Sequence, residues 1–218
     1  MSRENLERVL DRANQQDWRI ARVAWFRYQK IVGGIAAQNG YPMEIGAAVF
    51  AALSPNNDYI GNLRDVNRLL AASRAGTGLD SFKVSTYGKN KVKAWKIAHG
   101  EKPLDLIRYP KTRNFFLNVS DPTNPYPVTI DGHIFNAWAG VRKKLNSAEI
   151  KQYARYYEEV AEDIRWLGAE RGLIPNVVQG ILWYCWKRIH RIKHSDQMEF
   201  WCNDMVVSGL GFERETIF

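Results

Sequence analysis

Apolar positions recur every three or four residues along most of the chain, and no sustained two-residue alternation of the strand type interrupts them. The pattern predicts helices over 3–15 and 18–38. In the second, Ile20, Val23, Ala24, Ile31 and Ile35 share a face, and Asn39-Gly40 supplies a left-handed stop. Pro42 precedes a short apolar helix over 45–53, whose Gly46, Ala47, Ala48, Ala51 and Ala52 predict close packing. Ser54-Pro55-Asn56-Asn57 reads as a turn. Residues 58–72 read as a helix with Leu63, Val66, Leu69 and Leu70 inward. After the loop Gly76-Thr77-Gly78 come a basic helix over 89–99, a short one over 103–107 and another over 111–119. A proline-rich connection from Asp121 to Pro127 leads to a helix over 131–137. Asn146 and Glu149 make a capping box for one long helix running to Gly168. Pro175 suits the first turn of a last helix reaching His194. No repeat, low-complexity tract or long linker divides the chain. The expectation is one all-α domain over 1–218.

Composition adds a core and a charge. Hydrophobic residues make up 45% and aromatics 12%, enough to bury an interior. The formal net charge of +8 favours a polyanionic partner, because each cation set on a phosphate releases counterions. Two cysteines, Cys185 and Cys202, are too few for a disulfide framework or a four-thiolate metal site, and both are expected to be buried in a reducing compartment. His190 and His194 have a metal-compatible spacing, but no third ligand accompanies them and Arg191 and Lys193 lie between. No metal or organic cofactor is expected. The opening Met1-Ser2-Arg3-Glu4-Asn5 has no apolar signal core, and no apolar run reaches the ~18–20 residues of a membrane span. These features predict a soluble protein of the cytoplasm, the host's if the source is viral.

Candidate chemistry concentrates in Leu106-Ile107-Arg108-Tyr109-Pro110-Lys111-Thr112-Arg113-Asn114-Phe115 and in Val128-Thr129-Ile130-Asp131-Gly132-His133-Ile134-Phe135. Each stretch opens a helix, so an amine and a carboxylate could meet at one cleft. A carboxylate near a lysine stays ionised, able to accept a proton or stabilise a cation. A partly desolvated lysine can act as a nucleophile or hold a phosphate.

At these residues the chain resembles the helix-hairpin-helix (HhH-GPD) DNA glycosylase superfamily. Lys111-Thr112 matches the Lys-Thr of its Gly-x-Lys-Thr-Ala hairpin. Ile130-Asp131-Gly132-His133-Ile134 matches its Val-Asp-Thr-His-[Ile/Val], with glycine in place of threonine. Upstream, Ala52-Leu53-Ser54-Pro55-Asn56-Asn57, leading into Asn62-Leu63, is similar to the Leu-Ser-x-Gln segment that reaches into DNA. Tyr87-Gly88-Lys89-Asn90-Lys91-Val92-Lys93-Ala94 is similar to its Gly-[Phe/Tyr]-x-x-x-Lys-Ala helix start. The four segments keep the family's order. The resemblance implies a two-lobed helical fold with a degenerate hairpin, the motif-bearing lobe spanning about 42–140. Arg108-Tyr109-Pro110 replaces the hairpin glycines, and proline has no N–H to give a phosphate. The cysteines that hold an iron–sulfur cluster in some members are also missing.

The segments Pro110–Asn118, Val128–His133 and Gln179–Trp186 resemble, more narrowly, a phage-associated branch that includes the amino acid:DNA transferases of thymidine hypermodification. That likeness implies an enzyme that flips a 5-phosphomethyl-uracil base out of double-stranded DNA and displaces its phosphate with the amine of a free amino acid. Asp131 would deprotonate or orient the incoming ammonium. Lys111, Arg108 or Arg113 would hold the phosphate or the amino-acid carboxylate. A glycosylase or glycosylase/lyase excising a modified or damaged base is the alternative, with Lys111 attacking the sugar. A non-catalytic DNA-binding protein is a second alternative.

Plainer readings stand beside each assignment. Asp131-Gly132 is a common helix N-cap. His133 suits orienting its loop by hydrogen bonds more than proton transfer. Asn56 and Asn57 either form a turn or fill the gap left by an extruded base. Lys89, Lys91, Lys93 and Lys96 either face solvent or, with Thr112, contact DNA phosphates. Arg142-Lys143-Lys144 and Lys187-Arg188 are further phosphate candidates with no motif behind them. Trp183 and Trp186 read as core residues more readily than as base-stacking ones.

Overall fold

Helices are the only regular elements among residues 2–192, the part of the chain that the computed structural model describes. In chain order they are α1 (Arg3–Leu10), α2 (Gln15–Gln38), α3 (Met43–Leu53), α4 (Tyr59–Arg74), α5 (Gly88–Ala98) and α6 (Pro103–Leu106). Then follow α7 (Pro110–Ser120), α8 (Gly132–Ala139), α9 (Ala148–Tyr153), α10 (Tyr157–Glu170) and α11 (Pro175–Ile189). No described helix is long and apolar enough to cross a membrane.

The described residues form two compact units. The terminal unit comprises residues 2–25 and 121–192, and the inserted unit comprises 26–120. In the terminal unit α11 packs against α1, α8 and α10, with Leu6, Ile134, Trp138, Ile164, Val178 and Ile181 fully buried. Gly180 permits a close approach here, since a Cβ would lie 3.1 Å from that of Ala21.

In the inserted unit α3 is central and meets α4, α5 and α7. Its run of small residues does what the sequence suggested. A Cβ on Gly46 would stand 2.7 Å from Ala36 Cβ and 3.1 Å from the Val32 carbonyl on α2, so the two helix backbones approach as only glycine allows. Tyr28, Phe50, Tyr59 and Phe115 fill the space beside α3 with tilted and edge-on ring contacts of 5.1–6.3 Å. Leu63, Val66, Leu69 and Leu70 are all buried, as their spacing predicts, and Gly40 takes the expected left-handed stop at φ +76°.

Several element limits differ from the sequence reading. The first helix ends at Leu10 rather than Gln15, because Asn14 and Asp17 form a reciprocal box that starts α2 there. Asn14 N–H donates to Asp17 Oδ2 at 3.0 Å, and Asp17 N–H to Asn14 Oδ1 at 2.9 Å. Val23 is exposed, unlike its four partners in the predicted stripe. The helix predicted to start at Asn146 is capped by Ser147 instead. It is also broken by a 3-10 turn at Ala154–Tyr156. That turn lets Tyr153, Tyr156 and Tyr157 all pack on α8, against Phe135 and Trp138, so tertiary contacts override helix continuity. The last helix stops at Ile189, followed by Arg191 at φ +50°. His194 and Cys202 lie outside the described residues.

Candidate active site around Asp131

Asp131 is placed by what precedes it. Residues 128–130 are buried, and the Tyr157 hydroxyl clamps them by donating to the Val128 carbonyl at 2.7 Å and accepting from Ile130 N–H at 3.1 Å. The chain therefore reaches Asp131 extended, at φ −110° and ψ −178°, the backbone of an N-cap. Its Oδ1 accepts from the N–H groups of His133 and Ile134 at 2.9 and 3.0 Å, closing the first turn of α8. Its Oδ2 accepts from the Trp183 indole N–H on α11 at 2.9 Å. All three partners donate, which an ionised carboxylate satisfies.

Trp183 carries the arrangement further. His133 stands edge-on to its ring at 6.2 Å, and the Lys187 ammonium lies 4.0 Å from its ring centre. Lys187 is only 5% exposed. Burial lowers its pKa from the ordinary lysine value, and the Asp131 charge offsets part of that fall. Carboxylate, indole and ammonium thus form a linked set on α8 and α11 in which both charges are held by protein geometry. A lysine of lowered pKa beside a fixed carboxylate marks a candidate chemical site.

Neighbouring groups on α11 are structural. Arg188 grips the buried Asp17 at 2.6 Å and donates to the Arg12 carbonyl. Burial pushes the Cys185 thiol up to about 11, with Asp17 adding to the rise. Buried Trp186 packs 4.0 Å from the ring of His190. Desolvation together with Arg142 and Arg12 lowers the pKa of His190. Among the described residues no group of three or more His, Cys, Asp or Glu gathers to hold a metal ion.

The inserted unit holds the other residues nominated from sequence. Lys111, Arg108 and Arg113 are exposed around the start of α7, and Tyr109 beside them is 60% exposed. Thr112 is buried, so its side chain packs inward. Asn57 is turned inward too, donating to Asp65 Oδ2 at 3.0 Å, where Ser85 N–H also donates at 2.6 Å. Asp65 is fully buried, and its Oδ1 lies 3.8 Å from Arg68, beyond hydrogen-bond distance. Asn56 is exposed at the tip of the turn with φ +59°. On α5, Lys91 donates to the Phe82 carbonyl at 2.6 Å and sits over its ring, and Lys96 pairs with Glu101 at 3.1 Å. Lys89 is exposed and Lys93 half-buried.

The model of a family of unknown function, DUF7178, matches residues 2–190. The chain belongs to DUF7178. No curated protein and no solved structure matches it. The matched span takes in the whole Asp131–Trp183–Lys187 set as well as the exposed cations of α7.

In this DUF7178 chain the sequence reading singled out Asp131 and His133 but missed the roles of Trp183 and Lys187. It read the tryptophan as core in preference to base stacking and the lysine, with Arg188, as a phosphate candidate without a motif. Neither residue of the Lys187-Arg188 pair is a free surface charge: Lys187 is buried and Arg188 is bound to Asp17. The signal available was the spacing of four residues between Trp183 and Lys187, which places an aromatic ring and an ammonium on one helical face.

Proposed function

We propose that this DUF7178 chain is a DNA base-modifying enzyme on a two-lobed helix-hairpin-helix glycosylase scaffold. It would extrude a 5-phosphomethyl-uracil base from duplex DNA and join an amino acid to its 5-methylene carbon. The incoming ammonium gives up a proton to the departing phosphate, the freed amine forms the new C–N bond, the C–O bond to phosphate breaks, and the phosphate leaves with the electron pair as hydrogenphosphate. The ordered resemblance from Ala52 to Ile134 and the net charge of +8 support a DNA substrate. The observation that carries the reading is Asp131, a carboxylate held by α8 and Trp183 next to a buried amine.

The hydrogen bonds at Asp131 favour one of its two expected roles. With three N–H groups bound, its carboxylate is better suited to orienting an incoming ammonium than to carrying a proton away. The exposed Arg108, Lys111 and Arg113 would contact the DNA backbone, a task that needs charge but no burial.

Lys187 favours one other reading. A buried amine of lowered proton affinity suits attack on a sugar, as in a glycosylase/lyase. One experiment separates the two. Duplex DNA containing 5-phosphomethyl-uracil is incubated with the protein and mixed amino acids, then digested to nucleosides and analysed by mass spectrometry. A nucleoside heavier by an amino-acid residue, sugar attached, identifies the transferase. A free base or abasic site identifies the glycosylase. An unchanged nucleoside profile, with DNA bound, refutes both.

A further inference from the structure

Two adjacent cations on α11 have opposite environments. Arg188 directs its guanidinium to the Asp17 carboxylate at 2.6 and 3.0 Å and to the Arg12 carbonyl at 2.6 Å. Lys187 is buried, and its ammonium makes no hydrogen bond or ion pair with any described residue. Its contacts are the Trp183 ring at 4.0 Å and the through-space effect of Asp131. An ammonium has three N–H donors and no acceptor. The face of an indole returns only a small part of the hydration such a group loses on burial. The Asp131 oxygens are already turned to His133, Ile134 and Trp183.

Packing uses only the aliphatic stem of this side chain. A methionine would fill similar volume on the buried side of α11 without the cost of an unmatched charge. What the site has and does not use is a cation largely withdrawn from water, its Nζ still reaching the surface and its donors taken by no described residue, the arrangement that captures an oxyanion by charge-assisted hydrogen bonds.

We propose that Lys187 is the anion receptor of this site and binds the carboxylate or phosphate group of a small-molecule substrate above the Trp183 ring. This assigns to Lys187 the task that the sequence suggested for Lys111, Arg108 or Arg113. It rests on the terminal-unit geometry alone, so it can hold even where the base chemistry proposed above does not.

The test is a direct binding measurement on the full chain. The indole N–H resonance of Trp183, assigned through its loss in Trp183→Phe, is followed while inorganic phosphate or acetate is added at pH 7. Sodium chloride at matched ionic strength serves as the reference. A saturable shift of the Trp183 signal is expected with at least one anion, with affinity at least tenfold weaker in Lys187→Met and largely retained in Lys187→Arg. Saturation with phosphate alone identifies a phosphate group, with acetate alone a carboxylate, and with both a general oxyanion receptor. If Lys187→Met does not fold, Lys187→Gln removes the charge in its place. No saturable shift with either anion, or equal affinity without the lysine charge, overturns the proposal. Success here with no product in the nucleoside assay separates anion capture from the base chemistry.

Discussion

Asp131 caps α8 with one oxygen and holds Trp183 with the other, so two substitutions should destabilise the protein by different amounts. Asp131→Ala removes the N-cap, at about 1 kcal/mol. It also strips the acceptor from the Trp183 indole N–H, at about 1–3 kcal/mol for a part-buried donor left unsatisfied. The sum, about 2–4 kcal/mol, corresponds to a fall in Tm of roughly 5–15 °C for a chain of this size. Asp131→Asn keeps one amide oxygen and caps nearly as well, but its other end is an NH2 that cannot accept from the indole. The expected cost is about 1 kcal/mol, or roughly 2–4 °C. Urea and thermal unfolding of both variants measure the gap. Adding Trp183→Phe to Asp131→Asn should then cost less than the two single changes together, with a coupling of about 1 kcal/mol. Equal losses for Asn and Ala, or strict additivity with Trp183→Phe, would refute the two-oxygen arrangement. The same variants report on chemistry. On the proposed reaction, Asp131→Asn should abolish product formation while DNA affinity stays within about twofold, because the residue would act on the reacting group and not on the backbone.

Lys187→Met should leave stability at pH 7 unchanged or raise it by up to about 2 kcal/mol, since it removes a largely buried charge that no described residue hydrogen-bonds. In the native protein burial holds the pKa of Lys187 below its unfolded value, so the penalty is full at pH values under the lowered one. It is relieved as pH rises from the lowered value toward 10.5, a gain absent from Lys187→Met in a comparison of Tm across the alkaline range. Cys185, with its thiol pushed to about 11, should resist iodoacetamide at pH 8 in the folded protein and react after denaturation, as peptide mass mapping will show. Gly46→Ala should cost about 1–3 kcal/mol by forcing α2 and α3 apart, read by thermal unfolding, and an undiminished Tm would contradict their close approach.

Much of the fold was legible because helix formation depends on local signals. The 3.6-residue period, Gly40 as a stop, Pro175 at a helix start and the small residues of α3 each act within a few positions of themselves. Asp131 was legible for the same reason, since an N-cap and its motif are both local. Where the reading failed, a distant contact had outweighed the local preference. Three tyrosines packing on α8 broke one expected helix in two. Asn57 closes the predicted turn, its N–H donating to the Ser54 carbonyl at 3.3 Å, but its side chain is drawn inward by a buried aspartate eight positions on.

The sequence by itself determined an all-helical chain with an excess of positive charge and a carboxylate at a helix start. Only the tertiary structure decided which cations stay in water and which do not. Lys187 and Arg188 are neighbours in sequence and alike in charge, yet α11 turns one to a half-buried indole and the other to Asp17. Composition counts charges, whereas burial and long-range partners set what each one costs and does. The bond between Asp131 and Trp183 spans 52 positions, and no local pattern encodes a contact at that separation.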